Sequence, residues 1–145
     1  MAESRLVDEW LEKAEEDFGF ASSVLGDSSF YAQICFHFHQ AAEKFLKAFI
    51  VARDLEFQKI HDLLVLLNLC SSVEPALQEI KEHCKFLNRF YIDTRYPVHW
   101  PTNYNKDEAL KAKSACEQVR KAIRDVLTVT TDTILSDFSP TEPSI

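Results

Sequence analysis

The chain has 145 residues, 46% of them hydrophobic and 12% aromatic, enough to bury a core without disulfides. Two glycines and five prolines exclude collagen-like, low-complexity and turn-dense all-β chains. Sixteen basic residues against twenty-three acidic ones leave a formal charge of −7, which repels bare nucleic acid in bulk, so any nucleotide or RNA contact has to come from a local cationic pocket.

The apolar spacing is helical almost throughout. In the first segment Leu6, Trp10, Ala14, Phe18, Ala21 and Leu25 recur every three or four residues, with Ser4 placed to cap the start and Gly26 to end the helix. The short break Gly26–Ser29 predicts an antiparallel neighbour. The second helix is predicted from about Phe30 to about Arg53. It is apolar on most sides, with a polar stripe of Gln33, His37, Gln40, Lys44 and Lys47 in steps of four and three. So apolar a helix belongs at the centre of a bundle or against a partner. Asp62–Leu69 reads as a small buried helix. Ser71, Ser72 and Pro75 signal the start of a fourth helix, carrying Leu77, Ile80, Cys84, Leu87 and Tyr91. Pro97 and Pro101 then interrupt the chain, and Asn105 with Glu108 resembles a capping box before the last helix. The fold expected is all-α, an up-and-down bundle of four long helices and one short one over residues 4–130, with a flexible tail over 131–145.

The cysteines Cys35, Cys70, Cys84 and Cys116 form no Cys-x-x-Cys pair, and the opening Met-Ala-Glu-Ser lacks an apolar h-region. Reduced thiols in a cytoplasmic core are expected. No segment has the eighteen uncharged apolar residues of a membrane span. His37 and His39 sit about 200° apart on a helix and cannot share one ion, and Glu79 with His83 has no second copy, so no metal and no cofactor are expected. No phosphate-cradling glycine loop exists, so a phosphate has to be held by side chains.

Two places carry the polar chemistry. Around Arg95 lie Phe90, Tyr91, Tyr96, Trp100 and Tyr104, a guanidinium for a phosphate among rings for a base. The same residues serve equally to close the end of the bundle, with Arg95 capping a helix C-terminus. On the second helix Lys44 and Lys47 stand beside Gln40 and Glu43, while His61 heads the short helix. That group reads either as a cleft or dimer seam, or as solvated side chains with His61 satisfying nearby backbone.

The blocks Ala14-Glu15-Glu16-Asp17-Phe18, Gln40-Ala41-Ala42-Glu43-Lys44, His61-Asp62-Leu63 and Thr94-Arg95-Tyr96-Pro97, in this order and spacing, resemble the HEPN family, the higher eukaryotes and prokaryotes nucleotide-binding domains, in its minimal stand-alone type. The resemblance covers roughly residues 4 to 128. It implies a helical bundle that commonly dimerises, often beside a minimal nucleotidyltransferase in toxin–antitoxin pairs, or a metal-independent endoribonuclease. Such nucleases carry Arg, four to six residues, then His; here only three residues separate Arg95 from His99, and Pro97 interrupts them. One residue too few rotates the imidazole by about 100°. The first expectation is therefore a non-catalytic homodimeric module binding a nucleotide or phosphate, RNA or a nucleotidyltransferase partner through Arg95, Tyr96, Lys44, Lys47, Gln40 and His61. The alternative is an endoribonuclease using Arg95 and His99 as an atypical pair.

Overall fold

A computed structural model describes the backbone of residues 2–95 and 104–138, and the side chains of residues 4–91 and 104–128. Within these the architecture is the all-helical bundle that the periodicity predicts, with four long helices and one short one: α1 (Ala2–Val24), α2 (Tyr31–Ala52), α3 (Leu63–Ser71), α4 (Lys81–Arg95) and α5 (Lys106–Phe138). Contacts such as Phe18 with Phe38 and Phe20 with His37 show α1 antiparallel to α2. Arg120 over Phe18 and Arg124 on Glu15 set α5 antiparallel to α1.

The helix ends follow local chemistry, and not always as the sequence suggests. α1 begins at Ala2, so Ser4 lies inside the first turn and not at the N-cap. Its C-terminus is closed by Asp27 and Ser28, whose N–H groups donate to the Val24 carbonyl at 3.1 and 3.0 Å. Gly26 does not adopt positive φ, so the expected glycine cap is not formed. The left-handed cap occurs instead at the end of α2, on Asp54 (φ 56°). There Leu55 N–H donates to Ile50 C=O and Asp54 N–H to Val51 C=O, the Schellman pair of bonds. Aspartate tolerates this conformation better than most side chains. Asp62 caps α3, accepting from the N–H groups of Leu64 and Val65.

After Pro75 the chain first forms a 3₁₀ turn, Pro75–Ile80, and only then α4. Three residues per turn put Leu77 and Ile80 on one side, and both are buried. At the head of α5, Asn105 Oδ1 accepts from Glu108 N–H at 2.9 Å. The reciprocal half of the expected capping box is replaced, because the Glu108 carboxylate pairs with Arg89 of α4. α5 continues to Phe138, past residue 130, where the sequence reading began a tail. No glycine or proline occurs between Lys106 and Ser139 to break it.

α2 is the central element. It packs against α1, α3, α4 and α5 and buries Phe38, Phe45, Leu46, Phe49 and Ile50 completely. The apolar surface that suggested a partner is thus largely covered within the chain. Cys35, Cys70, Cys84 and Cys116 are free and buried in this core. No helix among the described residues is long and apolar enough to cross a membrane.

Candidate functional site

Among the described residues three polar side chains are buried, and all three come from α2: His39, Glu43 and Lys47. They follow one another at four-residue intervals, so each lies about 40° round the helix from the last. A charge in a core has to be paired. Lys47 Nζ donates to Glu43 Oε2 at 2.8 Å, and both side chains are about 5% exposed. On its other side the Lys47 ammonium faces the rings of Trp10 and Phe57, 5.9 and 5.5 Å from their centroids.

The loop after α2 completes the cluster. His61 Nδ1 lies 3.1 and 3.0 Å from the two carboxylate oxygens of Glu43. A carboxylate accepts only, so Nδ1 carries the proton. His39 Nε2 donates to the His61 carbonyl at 3.1 Å, and its Nδ1 lies 3.2 Å from the Gln40 side-chain amide. Burial pushes the His39 pKa below its ordinary value, against the smaller opposing pull of Glu43, so this ring is a neutral strut that fixes the loop.

Outside the buried pair the cluster opens. A cavity of about 350 Å³ is lined by Lys59, Ile60, His61, Asp62, Asn88 and Tyr91. Tyr91 of α4 stacks on the His61 ring at 4.9 Å and 18°. Asn88, one turn earlier on α4, accepts from Leu63 N–H at 2.8 Å and donates to Asp62 at 3.0 Å, so it fastens the wall to α3. The site therefore combines one cation at the rim, a carboxylate-oriented imidazole and stacked rings. Among the described residues no group of three His, Cys, Asp or Glu is placed to hold a metal ion.

The structure brings together three of the residues singled out from the sequence: Gln40, Lys47 and His61. Lys44 turns elsewhere. Its ammonium meets Asp17 of α1 at 2.6 Å, and His37 approaches the same carboxylate at 3.4 Å. Seven residues separate His37 from Lys44, which puts them on one line facing α1, whereas Lys47 lies about 60° round from Lys44. Arg95 is the last residue of α4, one turn beyond Tyr91; its side chain, and Tyr96 and His99, lie outside the described residues. Sequence reasoning missed Glu43 as the organising carboxylate, along with His39 and Asn88, and it placed Tyr91 among the rings around Arg95 and not against His61. The Glu43–Lys47 spacing of four was a signal for the first. His39 was considered only as a metal ligand, and nothing local shows that a histidine will meet a backbone carbonyl twenty-two residues away.

No curated protein sequence matches the chain. Among solved structures, TT1696 from Thermus thermophilus superposes with a TM-score of 0.70 at 28% identity, covering 82% of this chain and 96% of that one. ST0689, an archaeal HEPN homologue, superposes with a TM-score of 0.66 at 22% identity, covering 82% and 95%. The sequence itself matches the HEPN domain over residues 7–126, a span that holds α2, the His61 loop, all of α4 and most of α5. With that span and this bundle, the chain belongs to the HEPN domain family.

Proposed function

We propose that this protein is a non-catalytic HEPN module that binds a phosphate-bearing nucleotide at the cavity bordered by His61 and Tyr91. The observation that carries this reading is the organised polar wall of that cavity. A buried Glu43–Lys47 pair orients His61, Tyr91 backs the ring, and Lys59 stands at the rim. A buried ion pair is weak evidence for stability alone, and here it holds a half-exposed imidazole in one orientation. In this reading the module acts as a homodimer and as the partner of a minimal nucleotidyltransferase in a toxin–antitoxin pair, with Arg95 and Tyr96 as further ligand-binding residues. Calorimetric titration of the full chain with ATP, GTP and inorganic phosphate tests it. Saturable binding weakened by Lys59→Ala is expected; no saturable binding to any of the three overturns it.

The second reading is a metal-independent endoribonuclease using Arg95 and His99. It is favoured by one observation, that α4 carries Arg95 to the helix turn next to Tyr91. The imidazole would deprotonate a 2′-hydroxyl while the guanidinium meets the phosphorane charge. Cleavage of single-stranded RNA with EDTA present, abolished in His99→Ala, is the expected result; RNA left intact at high enzyme concentration sinks it.

A further inference from the structure

Three rings pack near-parallel beside the cavity. Phe36 of α2 and Tyr91 of α4 lie 6.3 Å apart at 27°, and Tyr91 and His61 lie 4.9 Å apart at 18°. His61 is the exposed end of this series. Its side chain is 46% exposed, although one ring face rests on Tyr91 and the Nδ1 edge rests on Glu43. The exposure therefore comes from the opposite ring face and from the Nε2 edge.

The chemistry of that edge is set from behind. Glu43 holds the proton on Nδ1, and Lys47 holds Glu43 in place. In the neutral ring the lone pair then sits on Nε2, which meets no hydrogen-bond partner among the described residues. A phosphate oxygen also only accepts, so it gains nothing from that lone pair. A hydroxyl that donates does gain from it. A flat base lying on the outer ring face would bring its own sugar to the ring edge.

We propose that the outer face of His61 is the stacking platform for a nucleobase, that Nε2 accepts a hydrogen bond from a ribose hydroxyl of the same ligand, and that Glu43 is the positioning residue that fixes the tautomer with its proton on Nδ1 and its lone pair on Nε2. This rests on the nucleotide reading above and assigns the nucleoside end of the ligand, leaving Lys59 at the rim for the phosphate. Stacking tolerates any base, because every base has a π face. Selectivity falls on the sugar.

The full chain is titrated at neutral pH with adenosine, 2′,3′-dideoxyadenosine and inorganic phosphate, and the His61 tautomer is read by long-range ¹H–¹⁵N NMR. Wild-type His61 shows the Nδ1–H tautomer and binds adenosine about fivefold more tightly than the dideoxynucleoside, the worth of one hydrogen bond. His61→Phe keeps the platform and binds both alike. His61→Ala weakens both by roughly 10-fold or more, the scale of lost base stacking. Glu43→Gln mixes the two tautomers and erases the preference for the hydroxyls. An Nε2–H tautomer in the wild type, or undiminished adenosine binding by His61→Ala, overturns the proposal. Binding of phosphate without adenosine overturns it and leaves the phosphate-site reading standing; binding of none of the probes removes both.

Discussion

His39 is fully buried, and its pKa lies below the ordinary histidine value, chiefly because the apolar surroundings disfavour the charged ring. Well above about pH 6.5 the ring is neutral in folded and unfolded chains alike, and it contributes almost no pH dependence. Below that value the unfolded chain takes up a proton that the native ring resists, so stability falls with falling pH, by at most about 1.4 kcal/mol per pH unit from one such group. Urea unfolding at pH 7.5 and 5.5 should show a larger loss for the wild type than for His39→Gln; equal losses would mean that the proton enters elsewhere. Asp54 and Gly26 teach a related lesson about single residues. Glycine permits a left-handed cap, but the chain takes that conformation where the helix has to turn, at Asp54, and not where glycine happens to stand.

At the scale of elements, α3 shows how much one side chain holds. Asp62 Oδ1 accepts from Leu64 N–H at 2.9 Å, from Val65 N–H at 3.3 Å and from Asn88 Nδ2 at 3.0 Å, joining the start of α3 to α4 beside the cavity. Asp62→Ala should cost about 1–2 kcal/mol, the range for losing an N-cap, and should speed amide exchange at Leu64 and Val65. Full protection at those two amides in the variant would show that packing alone fixes the turn. α2 shows the reverse, one helix serving two neighbours. Its polar stripe was legible as a line of side chains. Its division into a Lys44–Asp17 contact with α1 and a Lys47–Glu43–His61 contact with the loop was not. That division depends on which helix lies on each side, and the periodicity of α2 does not contain the information.

At the scale of the molecule, several of the cations among the described residues stand in ion pairs between elements. Arg120 and Arg124 converge on Glu15, Arg89 pairs with Glu108, and Arg53 with Glu74. The formal charge of −7 repels a nucleic-acid backbone in bulk, which favours a small ligand in a defined cavity over a long polyanion. The core itself should be chemically quiet. Burial pushes the thiols of Cys35, Cys70 and Cys84 up to about 12, and that of Cys116 well above its ordinary value. Folded protein at pH 8 should leave all four unmodified by a disulfide reagent and react at four sites in guanidinium. A thiol that reacts at once in the native state would reveal local opening of the bundle.

The amino-acid order by itself determined the helices, their number and the burial of α2 and α3, because apolar residues recurring every three or four positions are a local property of the chain. It also marked His61, Gln40 and Lys47 as polar groups set in apolar surroundings. Only the tertiary structure decided that Glu43 joins Lys47 to His61, that Tyr91 covers the imidazole, and that Lys44 belongs to α1. The Glu43–Lys47 pair lies within α2, but the contacts of Glu43 and Tyr91 with His61 and of Lys44 with Asp17 each join separate helices or loops. A polar side chain that meets a partner on another element finds it in space, and helix packing, not sequence spacing, fixes where that partner stands.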